Sequence, residues 1–148
     1  ARRPSVTEYL TWSPHESIEH TREYLEFIGQ RYRTGDFYDW AMIDRDSRRM
    51  IGTCGFTKIH TDHDVGEIGY VLHPDFWGKG YAVEAARCVM DFGFETLGLH
   101  RIEARFMKGN AASLRVMEKL GMSFEGYHVD EIYVKGEYKT VGVCAKVR

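Results

Sequence analysis

The sequence lacks several features that would indicate a membrane, secreted or nucleic-acid-binding protein. It contains no apolar run of the roughly 18 residues that a membrane-spanning helix needs. The basic start Ala1-Arg2-Arg3 is not followed by the apolar segment of a signal peptide. Its 20 Lys and Arg residues are balanced by 22 Asp and Glu residues, for a net charge of −2, so no basic excess is available for a phosphate backbone. We therefore expect a cytoplasmic protein with no membrane or nucleic-acid partner.

Cysteines and clustered metal ligands are also scarce. Cys54, Cys88 and Cys144 are far apart, and three dispersed cysteines provide neither a disulfide framework nor a paired-cysteine zinc site. We expect reduced thiols that serve as packing residues. The run His60-Thr61-Asp62-His63-Asp64 falls on a turn, where no helix fixes the spacing of ligands, so it predicts a solvated hairpin and no metal.

The remaining composition indicates one globular domain. The chain has 148 residues, of which 43% are hydrophobic and 14% aromatic, enough to bury a core of its own. No repeat, low-complexity tract or linker divides it, so we predict a single domain over residues 1–148.

Apolar periodicity predicts a helix first, then three strands, then alternating helices and strands. The first helix begins near Ser13, a candidate cap, and ends at Thr34-Gly35. The later predicted strands are 38–44, 50–59, 65–72, 101–107, 124–134 and 138–147, and the later predicted helices are 80–97 and 111–120. The strands at 65–72 and 101–107, joined by one helix, form a parallel crossover within an otherwise antiparallel sheet. Such a crossover leaves a crevice at the carboxyl ends of its strands.

Two glycines at that crevice suggest an anion-binding turn. Gly78 and Gly80 precede the predicted helix, where glycines let several backbone N–H groups point at one anion. A flexible loop is the plain alternative. A Walker loop is excluded because its lysine is followed directly by Ser or Thr, whereas Lys79 is followed by Gly80. The dinucleotide fingerprint is excluded because Val83 stands where it has a third Gly or Ala, and because Met107-Lys108 offers no acid at the end of the next strand.

The segment from Glu67 to Ala85 resembles the acetyl-CoA motif, Q/R-x-x-G-x-G/A, of the GNAT acetyltransferases. Trp77 stands where many members have Gln or Arg, and Gly80 and Ala82 match the two small positions. The segment from Asn110 to Met122 is similar to the N-x-x-S…EKLGF signature of the RimJ/RimL-like branch, which modifies the N-termini of ribosomal proteins. Family members normally open with a strand and a short helix that have no counterpart here.

This resemblance implies the GNAT fold, an α/β (α+β) arrangement with a central mixed, mostly antiparallel sheet. One parallel βαβ crossover and a V-shaped splay between the strands at 65–72 and 101–107 belong to that fold. Acetyl-CoA is the implied cosubstrate, with its pantetheine arm against the third strand. The implied cofactor contacts are Val71, Leu72, His73, Trp77, Gly78, Lys79, Gly80, Tyr81, Ala82, Val83, Asn110, Ser113 and Val116. A backbone N–H of Val71 or Leu72 would polarise the thioester.

Other side chains are expected at the edges of this site. Lys79, Arg87 and Arg115 are the basic groups predicted to meet the cofactor phosphates. A predicted aromatic group of six residues is expected to contribute to the core and to line the acceptor site: Tyr9, Trp12, Tyr32, Phe37, Tyr38 and Trp40.

Glu67 and Ser113 are the predicted catalytic residues. Glu67 matches a glutamate that several family members place before this strand edge. Four residues of strand, roughly 13 Å, separate Glu67 from Val71, so Glu67 would act as a base through a water molecule. Ser113 is the implied proton donor, because Met117 occupies the position of the usual tyrosine. A structural carboxylate and a helix-capping serine are the alternatives, and His73 is a weaker base candidate.

The predicted function is therefore N-acetylation of a primary amine, and the preferred acceptor is the α-amine of a protein or peptide N-terminus. A small-molecule amine as acceptor and a non-catalytic acetyl-CoA sensor are the alternatives. The sequence does not identify the acceptor, and it leaves a homodimer open.

Overall fold

The computed structural model describes residues 19, 21–23, 25–27, 30 and 38–148. The described residues between 19 and 30 are helical, in agreement with the predicted first helix. The rest of that helix, including its predicted cap at Ser13 and its end at Thr34-Gly35, lies outside the described residues. So do four members of the predicted aromatic group, Tyr9, Trp12, Tyr32 and Phe37.

Six strands, two helices and one 3-10 turn follow from residue 39 onward. Their bounds are β1 Asp39–Ile43, β2 Met50–His60, β3 Val65–Leu72, a 3-10 turn Pro74–Phe76, α1 Tyr81–Glu95, β4 Arg101–Met107, α2 Ala111–Lys119, β5 Ser123–Val134 and β6 Glu137–Val147. The predicted bounds of β3 and β4 match. Those of β2, β5 and β6 differ by one residue at one end, and those of β1 differ by one residue at each end. The strands form one sheet in the order β1-β2-β3-β4-β6-β5.

One pair of strands in this sheet is parallel, and it is joined through α1. β3 pairs with β4 in parallel, while the other neighbouring strands pair antiparallel. The parallel ladder runs from Val65 opposite Arg101 to Ile68 opposite Ala104 and goes no further, although both strands continue. β3 and β4 therefore diverge toward their carboxyl ends, which confirms the predicted mixed sheet and its V-shaped splay.

Helix α1 packs directly on the sheet because its inward face carries small residues. Ala82, Ala86 and Gly93 are buried there. A Cβ added at Gly93 would come within 2.6 Å of the Phe56 ring, so a larger residue there would force the helix or the core side chains to move. This close packing holds the amino end of α1 beside the carboxyl end of β3.

The cysteines do not all pack as predicted. Cys54 and Cys144 are buried in the core, and burial raises the pKa of the Cys54 thiol to about 12, which keeps it protonated and unreactive. Cys88, in contrast, is exposed on α1, so the expectation that it packs in the core is wrong. It falls on the outward side of a helix that is apolar on one face only.

Candidate active site

A groove of about 440 Å³ lies where β3 and β4 diverge. Its walls come from the end of β3, the turn after it, the first turn of α1 and one side of α2. The residues that line it are Tyr70, Val71, Leu72, Phe76, Trp77, Gly78, Gly80, Tyr81, Ala82, Val83, Asn110, Ala112, Ser113, Arg115, Val116 and Lys119. Segments that are far apart in sequence, the glycine turn and the start of α2, thus form a single site.

The amino end of α1 meets this groove with free backbone donors. Gly80 precedes the helix at φ 83° and provides no side-chain cap. A Cβ added at Gly80 would meet no atom within 4 Å, so glycine is favoured there by the left-handed backbone and not by lack of space. The first N–H groups of a helix have no partner within the helix, and with no side chain capping them they form a site for an anion.

Basic side chains border the same end of the groove, although not the full predicted set. Arg115 and Lys119 line the groove from α2. Lys79 lies over the ring of Phe76, with its Nζ 5.6 Å from the ring centroid. Arg87 donates to the backbone carbonyl of Lys119 at 3.1 Å and does not line the groove. Lys119 lies in the segment that resembles the EKLGF signature, but the sequence analysis did not predict that it lines the groove.

The end of β3 presents a backbone edge to the gap. The His73 N–H donates to the Ile51 carbonyl of β2 at 2.7 Å. Since successive N–H groups of a strand point to opposite sides, the Leu72 N–H points away from β2 and toward the gap. The Trp77 indole N–H donates to the Leu72 carbonyl at 2.8 Å, which holds the glycine turn against the strand. Trp77 thus has a structural bond that its place in the motif does not reveal.

His73 itself does not join the groove lining. Its backbone N–H is bound to β2, and its Nδ1 accepts from the Asp75 N–H at 3.2 Å, which caps the 3-10 turn. The structure therefore brings together all the predicted cofactor residues except His73 and Lys79.

Ser113 lies in the groove within a small hydrogen-bonded group. Its Oγ accepts from Asn110 Nδ2 at 2.9 Å, and its backbone N–H donates to Asn110 Oδ1 at 3.2 Å. The Tyr70 hydroxyl lies 3.4 Å from the same Oγ. Asn110 caps α2 and also orients Ser113. Met117, four residues further on, is buried in the core and cannot replace this hydroxyl.

Glu67 lies on the opposite face of β3, one residue before the strands diverge. Its side chain is 17% exposed, and its Oε2 lies 3.8 Å from Arg105 Nε. Burial raises the pKa of the Glu67 carboxyl, and the positive charges of Lys58 and Arg105 oppose part of this rise. The structure therefore separates the two predicted catalytic residues, with Ser113 facing the helices and Glu67 facing away from them.

Arg105 connects Glu67 to an ionic group on strands β4 and β5. Its Nη1 donates to both carboxylate oxygens of Glu131, at 2.8 and 2.7 Å, and His128 Nδ1 lies 2.9 Å from Glu131. Arg105 Nε is buried and has no hydrogen-bond partner among the described residues. Arg101 makes a parallel set of bonds to Glu103 and Glu125.

No metal centre accompanies this group in the part of the chain that the structure describes, where no three His, Cys, Asp or Glu side chains lie close enough to hold an ion. Residues 61–64 form an exposed turn between β2 and β3. None of the helices between residues 38 and 148 is long and apolar enough to cross a membrane.

Comparison with known proteins identifies the family. The model of the acetyltransferase (GNAT) domain matches residues 1–123. The chain belongs to the GNAT acetyltransferase family. An N-acetyltransferase of Bacillus licheniformis is 34% identical over 133 residues, which cover 90% of this chain and 75% of that protein. The crystal structure of a GNAT-family acetyltransferase from Bacillus anthracis has a TM-score of 0.85 at 30% identity and covers 99% of this chain and 83% of its own.

Other similar GNAT proteins act on different acceptors. The spermidine N(1)-acetyltransferase of Escherichia coli is 31% identical over 112 residues, 70% of this chain and 60% of that protein. The ribosomal-protein-S5-alanine acetyltransferase of Vibrio fischeri has a TM-score of 0.79 at 23% identity, over 97% of this chain and 86% of its own, which shows the fold alone. This GNAT chain is therefore an acetyl-CoA-dependent N-acetyltransferase, and its RimJ/RimL-like branch stays a prediction.

Proposed function

We propose that this enzyme transfers the acetyl group of acetyl-CoA to the α-amine of a peptide or protein N-terminus, as the RimJ/RimL-like branch does. One observation carries the proposal: a half-buried carboxylate, Glu67, stands one residue before the gap in which the thioester would lie. A base at that distance gives modest help through water. An N-terminal amine, with a pKa of about 7.7–8.0, needs far less help than a lysine amine near 10.4.

The cofactor side of the proposal rests on the backbone donors at the groove. The pyrophosphate would accept from the uncapped N–H groups at the start of α1, and Arg115 and Lys119 would add positive charge. The thioester carbonyl would lie at the gap, where the Leu72 N–H can donate to it. Of the two backbone groups predicted for this role, Leu72 fits better than Val71, because the Val71 N–H points toward β2.

The chemistry then divides between the two faces of β3. Glu67 would remove a proton from the amine through water, and the amine nitrogen would attack the thioester carbon. Ser113 would deliver a proton to the departing sulfur from the helix side of the gap. The raised pKa of Glu67 suits this role, because a carboxyl that holds its proton more tightly is a stronger base.

A polyamine is the second candidate acceptor, and two observations favour it. The spermidine acetyltransferase of Escherichia coli is 31% identical to this chain. The face that carries Glu67 also carries Glu103, Glu125 and Glu131, whose carboxylates suit a multiply charged cation. Each of these three is already paired with an arginine, so we place the peptide acceptor first.

The test is release of free CoA from acetyl-CoA in the presence of matched acceptors. One peptide would be offered with a free N-terminus and no lysine, and again with the N-terminus blocked and a single internal lysine. Spermidine would be the third acceptor. We expect the free N-terminus to give the highest kcat/KM. A higher kcat/KM for spermidine than for every peptide in a panel of free N-termini would show that a polyamine, and not a peptide N-terminus, is the acceptor.

A further inference from the structure

Tyr70 is a polar residue in the groove wall that neither recognised motif assigns to chemistry. It lies on β3 two residues past Ile68, the last residue paired with β4, so it borders the opening of the gap. Its side chain faces the helices, on the same side of the strand as Ile68 and Leu72. Its hydroxyl lies 3.4 Å from Ser113 Oγ, and both residues line the groove.

The hydrogen bonds around Ser113 indicate which of the two hydroxyls donates to the other. Asn110 Oδ1 accepts from the Ser113 N–H, which turns Asn110 Nδ2 toward Ser113 Oγ as a donor. A serine oxygen has two acceptor sites and one proton. With Asn110 filling one acceptor site, the second is open to the Tyr70 O–H, and the serine proton is left to point into the groove.

Acid strength separates the two hydroxyls. An aliphatic alcohol such as serine is a far weaker acid than a thiol, so Ser113 cannot by itself be the net source of a proton for a thiolate. A phenol has a pKa of about 10, against about 8.5 for a thiol, and is therefore a closer match to the thiol than an aliphatic alcohol is. Two phenols line the groove, but the Tyr81 hydroxyl donates to Asp44 Oδ1 at 3.2 Å, so Tyr70 is the one whose hydroxyl meets Ser113. Burial raises the pKa of Tyr70, which keeps its hydroxyl protonated throughout the neutral range.

We propose that Tyr70 is the source of the proton that the leaving sulfur takes up, and that Ser113 passes it on. The inference rests on the proposed function. The amine nitrogen forms the bond to the thioester carbon, and the carbon–sulfur bond breaks with its electron pair on sulfur. Sulfur takes the Ser113 proton as Ser113 takes that of Tyr70. The proton of the amine leaves through water to Glu67, and the tyrosinate regains a proton from solvent after the products leave.

The experiment compares Tyr70→Phe, Ser113→Ala and the double variant by kcat and by KM for acetyl-CoA. We expect Tyr70→Phe to lower kcat about a hundredfold, within the usual range for loss of an acid catalyst, and to leave KM for acetyl-CoA within about twofold. The double variant should be about as slow as the slower single variant, because both changes cut one path. Tyr133→Phe is the matched control, since Tyr133 is 66% exposed on β5, and its kcat should equal that of the parent.

A second measurement keeps the inference testable should Tyr70→Phe fail to fold. Site-specific 3-fluorotyrosine at position 70 retains the hydroxyl and lowers its pKa. Because the proposed path needs the protonated phenol, kcat falls as the pH rises through the pKa of Tyr70, and fluorination should move this fall to lower pH.

Four outcomes would overturn all or part of the inference. Parental kcat in Tyr70→Phe across the pH range overturns the role of Tyr70 alone, and so does an unmoved alkaline limb in the fluorinated protein. Multiplicative losses in the double variant overturn the shared path. A parent protein that releases no CoA with any amine overturns the proposed function first, and this inference with it.

Discussion

The two faces of strand β3 carry different kinds of chemical group. On the helix side, the groove is lined by backbone donors, three hydroxyl-bearing residues, the Asn110 amide and apolar side chains, and its charged groups, Arg115 and Lys119, are exposed. On the other side, Glu67 is held in a group of charged side chains from β4 and β5. The first face depends on local backbone geometry and the second on the pairing of distant strands. We therefore expect substitutions on the helix side to change the speed of transfer or the binding of the cofactor, and those on the other side to change its dependence on pH.

The largest effect should come from the helix side. Ser113→Ala removes a hydroxyl of the groove while the backbone N–H that bonds Asn110 remains. We expect kcat to fall about a hundredfold with little change in the Kd for acetyl-CoA, because an acid acts on the leaving group and not on binding. Stopped-flow or steady-state CoA release, together with calorimetric binding, measures the two quantities. An unchanged kcat would remove Ser113 from the mechanism.

A change at the anion site should affect binding and spare the chemical step. Gly80→Asp places a carboxylate at the cap of α1, where it would occupy the free N–H groups and repel the pyrophosphate. We expect KM for acetyl-CoA to rise about tenfold, or about 1.4 kcal/mol in binding, with kcat nearly unchanged. Gly98→Asp is the matched control, since Gly98 follows α1 at φ 70° and is far from the cap. Equal KM in the two variants would show that the cradle does not bind the cofactor.

On the opposite face, Glu67→Gln should give a loss that depends on pH. The kcat/KM of the variant should fall furthest below that of the parent at pH values between the raised pKa of Glu67 and the pKa of the amine. In this range the parent has an ionised base and the amine still carries its proton. At higher pH the amine deprotonates without help, so the two proteins should converge. The measurement is kcat/KM against pH with one N-terminal amine. Parallel profiles for the two proteins would exclude Glu67 as the base.

A smaller effect should follow at the residue that holds Glu67. Arg105 lowers the pKa of Glu67, so Arg105→Gln should raise it further and move the acid limb of kcat/KM to higher pH. Arg101→Gln is the control, because Arg101 makes a similar set of ion pairs, with Glu103 and Glu125, and does not contact Glu67. A shift of equal size in both variants would mean that the overall charge of this face, and not the contact between Arg105 and Glu67, determines the pH of the acid limb.

The smallest effect concerns stability in acid. Hydrogen bonds from Arg101 hold the pKa of Glu125 below its usual value, and those from Arg105 do the same for Glu131. A carboxyl with a depressed pKa in the folded state contributes stability that is complete above its unfolded pKa of about 4.3 and is lost as the pH falls through the folded pKa. Glu125→Gln should therefore lower Tm slightly at pH 7 and leave it nearly unchanged at pH 2, as thermal unfolding would show. An equal loss of Tm at both pH values would contradict this assignment.

The sequence predicts the cofactor face better than the face of Glu67. The glycine turn and the start of α2 are local patterns, and Pro74 marks the end of β3, so their places follow from residues close together in the chain. The bond between Arg105 and Glu131 spans 26 residues and depends on the register of β4, β6 and β5, which no local pattern encodes.

Tyr70 shows the same limit within the groove itself. Strand alternation places it on the face of Ile68 and Leu72, which the sequence indicates only as opposite to Glu67. That its hydroxyl meets Ser113, 43 residues away, depends on how α2 lies across the sheet. The signal available in the sequence is that a buried tyrosine needs a hydrogen-bond partner, and this signal does not name the partner.

The early end of the β3–β4 ladder has a consequence for the lifetime of the protein. Past Ile68 the middle of the sheet keeps backbone groups that no neighbouring strand pairs, and a ligand arm lying there would complete them. A ligand that binds only the folded chain raises the free energy of unfolding, by about 2.7 kcal/mol at a hundredfold excess over Kd. Resistance of this enzyme to proteolysis should therefore rise and fall with the supply of its acetyl donor, so that starvation for the donor shortens the life of the catalyst as well as slowing it.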